Sequence, residues 1–202
     1  AETALASEAA PADARREAKR MLDMARYAEA VQCYETDALL SRFAEAGVDC
    51  CPLKGWRWRK LYPRPEQREM ADVDLLLRLE QWDEALRLAE EQGFAVQSKQ
   101  DIDLHAVLYK GDVKLELHRA LLSSHGVHEE RYQDVWARLQ PDGAPHAWRL
   151  SPTDEYLYFF LHAEKHVSSY YFSLRMLTDI AALRASGETI DRARFEREAR
   201  RM

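Results

Sequence analysis

Apolar and polar positions along the chain first follow a helical period. Between residues 13 and 46, Met21, Leu22, Ala25, Ala28, Val31, Leu39, Leu40 and Phe43 approximate one stripe. This predicts a long helix, with a break allowed near residues 33 to 36. Gly47 stops it, where a left-handed cap is easiest. The pattern then shortens. Residues 48 to 53 form an apolar run that predicts a buried strand, and residues 56 to 62 predict a short helix ended by Pro63. A Pro-broken loop follows, then a second strand over residues 71 to 78. Residues 79 to 92 form an amphipathic helix through Trp82, Ala85, Leu86, Leu88 and Ala89, closed by Gly93. Three strands are expected next, over residues 94–97, 103–109 and 113–118. Gly111-Asp112 turns the last two into a hairpin. Beyond Ala120 helices dominate: 129–139, 152–166, 171–186 and 191 to the end. Ser151 caps the second of these and Pro152 takes its first position. The expected fold class is therefore α+β, with a small mixed sheet flanked by helices. Its parts are an N-terminal helical segment (1–46), a core (47–125) and a C-terminal helical region (126–202).

Composition narrows the partners. A chain of 202 residues with 47% hydrophobic residues can bury a real core. No run reaches the length of a membrane span, and no basic-then-apolar signal peptide is visible. Three cysteines, two of them adjacent, make no disulfide framework and fit a cytoplasmic protein. A net charge of −6 argues against long nucleic acid as a partner, although basic residues concentrate between Lys54 and Arg68.

The chemistry concentrates in PLKGWRWRKLYPRPEQREMADVDLLLR, residues 52 to 78. In DVDLLL the strand period puts Asp72 and Asp74 on one face and Val73, Leu75 and Leu77 on the other. Adjacent carboxylates repel unless water or a cation neutralises them, and a divalent metal does so best. In VKLELH the same period puts Lys114, Glu116 and His118 on one face, so Glu116 meets the aspartates if the strands are neighbours. A turn and helix N-terminus that offer N–H groups to phosphate, paired aspartates for Mg²⁺ and a third carboxylate are what metal-dependent nucleotidyl transfer needs.

The segments LKGWRWRKLYPRPEQREMADVDLLLR, EEQGF and KLELH, in that order, resemble the uncharacterised nucleotidyltransferase family of the polymerase β-like superfamily. HAEKH and LRMLTDIAAL extend the likeness more weakly. The resemblance implies a nucleotidyltransferase-like core. It also implies transfer of a nucleoside monophosphate from an NTP to an acceptor, with Mg²⁺ (or Mn²⁺) and release of pyrophosphate. By position, Asp72, Asp74 and Glu116 would be the catalytic metal ligands. Gly55 would be the phosphate-side glycine, and Lys54 and Arg68 would face the triphosphate. The acceptor would be a small molecule or a protein. Trp56 stands where the broader superfamily has a small residue, and the stretch from Gly55 to Asp72 is long. Both leave room for an inactive member that only binds or regulates.

Other motifs read more plainly. His162 and His166 lie four apart, a metal-binding spacing, but HAEKH lacks the metalloprotease order, and packing near the cleft is preferred. His118 is either an outer partner of Glu116 or a polar strand end. Trp56 and Trp58 can stack on bases, yet burial of one side of a short helix accounts for them better. Cys50 and Cys51 have no base partner in the sequence.

Overall fold

A computed structural model of the chain describes residues 10–100, 105–121, 134–168 and 173–200. Helix α1 spans Ala12–Glu45, about 51 Å at helical rise. It is continuous through residues 33 to 36. The stripe looks broken in sequence because Gln32 and Thr36 are polar, yet both are buried in line with Leu39 and Phe43. Gly47 (φ 74°) ends it, and the Val48 amide donates to Phe43 C=O. The Asp49 amide goes to Gln81 Oε1 rather than to a neighbouring strand, and β1 is Cys50–Pro52, shorter at both ends than the pattern predicts.

Lys54–Trp58 is a short helix, α2, continued by a 3₁₀ turn at Arg59–Leu61. It starts two residues earlier than the pattern predicts, so Lys54 and Gly55 lie in its first turn. Strand β2 is Val73–Leu77, and helix α3 is Trp82–Glu91, with Trp82, Ala85, Leu86, Leu88 and Ala89 buried. Strands β3 (Ala95–Gln100), β4 (His105–Lys110) and β5 (Val113–His118) follow. A two-stranded ribbon joins β6 (Gln140–Pro141) to β7 (Trp148–Arg149). The last three helices are α4 (Pro152–Ser168), α5 (Leu174–Ala185) and α6 (Arg192–Ala199). Of the helix expected over 129–139, the described part is a 3₁₀ turn at Val135–Arg138; residues 122–133 lie outside the described residues.

The fold is α+β, with a five-stranded mixed sheet in the order β1-β2-β5-β4-β3. All neighbours are antiparallel except β2 and β5, which run parallel. One face carries Val73, Leu75, Leu77, Leu108, Leu115 and Leu117 beneath α1 and α3. On the other face, the β1–β2 edge packs Cys51, Leu53 and Leu76 against Leu150, Tyr158 and Leu161. A third cluster joins Trp58 of α2 to Phe159, Met176 and Leu183 of α4 and α5. Apolar cover therefore ends at Asp74, where the polar face of β5 begins. Among the described residues, no helix is long and apolar enough to cross a membrane.

Candidate functional site

The alternation in β2 and β5 sends Asp74 and Glu116 to the same face, and the parallel pairing sets them directly opposite each other. Val73, one position away, pairs with Leu115 and faces the core. Asp72 lies two residues before Asp74, just ahead of the strand and half-buried. The three carboxylates named from the sequence thus meet at one end of the β2–β5 pair.

Two lysines and a histidine hold them. Lys114, two residues before Glu116 on the same face, donates to Glu116 Oε1 at 2.5 Å and to Asp72 Oδ2 at 3.3 Å. His118, two residues after Glu116, places Nε2 2.8 Å from Asp74 Oδ1 and 3.8 Å from Glu116 Oε2. Lys54 Nζ lies 3.4 Å from Asp74 Oδ1. Its position follows from the backbone, because the Leu53 amide donates to Asp74 C=O at 2.9 Å and delivers Lys54 beside that carboxylate. Lys54 itself turns into α2 with φ 41°, a left-handed conformation that costs a non-glycine residue roughly 1–2 kcal/mol. Tyr158 covers the Lys54 ammonium, its ring centroid 5.7 Å away.

Two carboxylates on one strand end up with opposite electrostatics. Burial alone would raise the Asp74 pKa. The Lys54 charge and the hydrogen bond from His118 outweigh it and hold the carboxyl well below the usual range. Asp72 is shifted upward, first by burial and then by the charges of Asp74 and Glu116, which Lys114 only partly offsets. Three carboxylates against two ammonium groups leave the site acidic, and an acidic all-oxygen set is what a hard divalent cation binds. The ligand atoms of Asp74, Glu116 and His118 all lie within 4.8 Å of one another.

The remaining predicted residues sit to one side. Arg68 is buried and points to α5, where its Nε and Nη2 donate to Asp179 Oδ1 and Oδ2 at 3.0 and 2.8 Å. Gly55 lies against it: a Cβ there would come within 2.5 Å of Arg68 Nη1 and 2.9 Å of Met70 Sδ. The glycine's immediate structural effect is therefore close packing of the guanidinium. Lys54, Arg68 and Asp179 line a cavity of about 140 Å³, together with Trp58, Phe159 and His162. Trp56 is a core residue stacked under Arg59, 4.1 Å from its ring centroid, which matches the packing reading. His166 has its side chain outside the described residues.

Several members of the site carry no role in the sequence reading. Lys114 had a usable signal, its place on the Glu116 face. Glu155 had none. It is buried at the start of α4, accepts from Trp58 Nε1 at 2.7 Å, and pairs with Arg57 Nε at 2.7 Å. Its burial raises the carboxyl pKa to about 7 despite Arg57 and Trp58. It anchors α2, and so Lys54 and Gly55, to the C-terminal helices.

A model of the family described as "uncharacterised nucleotidyltransferase" matches residues 2–202. The chain belongs to this family. No curated protein sequence matches it. Among solved structures, the solution structure of the antibiotic-resistance factor ANT(2'')-Ia superposes with a TM-score of 0.58 at 16% identity. That match covers 78% of this chain and 84% of that one. A crystal structure of ANT(2'')-Ia in complex with adenylyl-2''-tobramycin gives 0.49 at 19% identity, covering 84% and 99%. At 16% identity the likeness to the solution structure is one of fold. For this nucleotidyltransferase the carboxylates at the β2–β5 end are accordingly the candidate active site.

Proposed function

We propose that the protein transfers a nucleoside monophosphate from an Mg²⁺-bound (or Mn²⁺-bound) NTP to a small-molecule or protein acceptor, releasing pyrophosphate. The observation that carries this reading is the parallel β2–β5 register, which sets Asp74 opposite Glu116 with Asp72 on the same face. The donor set fits the ion: Lys114 bridges Asp72 and Glu116 as a stand-in cation, and the oxygen ligands suit a hard metal. Asp72, Asp74 and Glu116 would hold it. When bound, the ion supplies charge neutralisation for the triphosphate and for the attacking oxygen.

The chain's own groups do the rest. Lys54, fixed beside Asp74 by the β1–β2 hydrogen bond, offsets charge that builds on the leaving pyrophosphate. Arg68 shares the wall of the adjoining cavity with Asp179, which neutralises it, so its guanidinium would reach the triphosphate side only by exchanging that partner. Gly55 leaves the room in which Arg68 sits. The acceptor oxygen attacks the α-phosphorus as the bond to the bridging oxygen breaks, and its proton passes to a carboxylate on this face. The net charge of −6 favours a compact acceptor over a long nucleic acid. The carboxylate cluster is also why an active enzyme is preferred to an inactive binding protein, since unneeded clustered acids repel one another.

Thermal unfolding with each NTP tests the proposal. Ligand at a hundred times its Kd stabilises by about 2.7 kcal/mol, a rise of roughly 5–11 °C in Tm for a domain of this size. The rise should require both NTP and Mg²⁺ and should vanish in Asp74→Asn. No rise with any NTP in the wild-type chain would refute it.

A further inference from the structure

We infer that His118 is a direct ligand of the divalent ion, making this a mixed nitrogen–oxygen site that holds Mn²⁺ in preference to Mg²⁺. The inference rests on the metal reading above but departs from its ligand set. Among the described residues, the group whose ligand atoms all lie within 4.8 Å of one another is Asp74, Glu116 and His118, without Asp72. The division of labour within the cluster explains why. Lys114 engages Asp72 Oδ2 and Glu116 Oε1. The second oxygen, Glu116 Oε2, faces the other way and lies 3.8 Å from His118 Nε2. His118 Nε2 is in turn 2.8 Å from Asp74 Oδ1.

Neighbouring ligands on an ion with bonds near 2.1 Å stand roughly 3 Å apart. Those two separations bracket that spacing and all three ligand atoms lie within 4.8 Å of one another, so closing on an ion needs side-chain adjustments of under about 2 Å. The sheet holds the three groups in place. Asp74 is paired with Glu116 and Leu76 with His118 in the same ladder, and the His105 ring lies 5.6 Å from the His118 ring on the neighbouring strand. Without an ion, Nε2–H donates to Asp74 Oδ1; taking an ion moves the ring proton to Nδ1, and the Nε2 lone pair then replaces that hydrogen bond between the two carboxylates. Mg²⁺ demands oxygen and gives up water reluctantly, whereas Mn²⁺ opens the first-row series whose affinity for nitrogen-containing sites rises along the Irving–Williams order, so an imidazole ligand favours Mn²⁺ over Mg²⁺.

Two measurements without nucleotide decide it. Pulsed electron paramagnetic resonance of the Mn²⁺-loaded wild-type chain should show nitrogen modulation from a bound imidazole. Loss of the free Mn²⁺ signal on titration gives the affinity, and competition gives the Mg²⁺ affinity. His118→Gln should weaken Mn²⁺ by about tenfold or more and Mg²⁺ much less, by the ligand preferences of the two ions. If His118 only positions Asp74, both ions should weaken alike, since outer-shell losses of about 10–100-fold do not distinguish metals. That result, or an absence of nitrogen modulation in the wild type, overturns the inference. Nucleotide binding that needs Mg²⁺ and Asp74, alongside Mn²⁺ binding indifferent to His118, would sink the ligand assignment and leave the transfer reading standing. His118-dependent Mn²⁺ binding with no affinity for any NTP would do the reverse.

Discussion

Replacing Asp179 with Ala leaves the Arg68 guanidinium buried with no carboxylate opposite it. In the native chain Asp179 receives two charge-assisted bonds from Arg68, at 3.0 and 2.8 Å, and a third from Tyr62 Oη at 2.7 Å. Both partners are nearly sealed, at 8% exposure for Arg68 and 3% for Asp179. Water in the adjoining cavity, which both residues line, offers neutral acceptors in place of the carboxylate but not its charge. Breaking such a buried pair costs about 3–5 kcal/mol, far above the 0–1 kcal/mol of a surface pair. At roughly 2–4 °C per kcal/mol for a chain of this length, the Tm should fall by about 6–20 °C. Urea unfolding should show the same loss as a lower midpoint at unchanged slope. Replacing both partners by leucine should recover much of it, because no unpaired charge then remains. A loss below about 1 kcal/mol in Asp179→Ala would refute the reasoning and show the pair to be solvated.

Three further outcomes follow from the same structure. Gly55→Ala forces a Cβ against the anchored Arg68 tip and should cost about 1–3 kcal/mol by overpacking; urea unfolding should show the cost shrinking in an Arg68→Ala background. Lys54→Gly should be more stable than Lys54→Ala by about 1 kcal/mol, because both lose the Asp74 partner but only glycine relaxes the left-handed backbone; thermal unfolding compares them. Glu155 is a carboxyl whose folded pKa is raised from 4.5 to about 7, so the folded state binds its proton more tightly than the unfolded chain does. Its contribution is full below the unfolded pKa and is lost as pH rises between about 4.5 and 7, on the order of 3 kcal/mol; Glu155→Gln should flatten that part of the stability–pH curve.

The parts of the site that a strand period can show were legible in the sequence. Alternation in DVDLLL and VKLELH fixed which face each acid takes, since that depends only on neighbours two residues away. The parallel pairing of β2 with β5 was not visible there. It depends on β3 and β4 being placed beyond β5, a property of the whole sheet. Arg68 shows the limit from the other side. Its place before Asp-Val-Asp suggested a phosphate contact, while its partner Asp179 is 111 residues away and leaves no local trace. Glu155 and Trp58 meet across 97 residues in the same manner. Buried polar positions misled the helix reading too: Gln32, whose side chain donates to Met70 C=O, and Thr36 continue the buried stripe of α1 without adding hydrophobicity.

The most direct test of the central claim is calorimetric titration of each NTP into the wild-type chain and Asp74→Asn, with and without Mg²⁺. Heat of binding is expected only for the wild-type chain and only when the metal is present. Binding that is unchanged in Asp74→Asn, or binding by no NTP under any of these conditions, would contradict it.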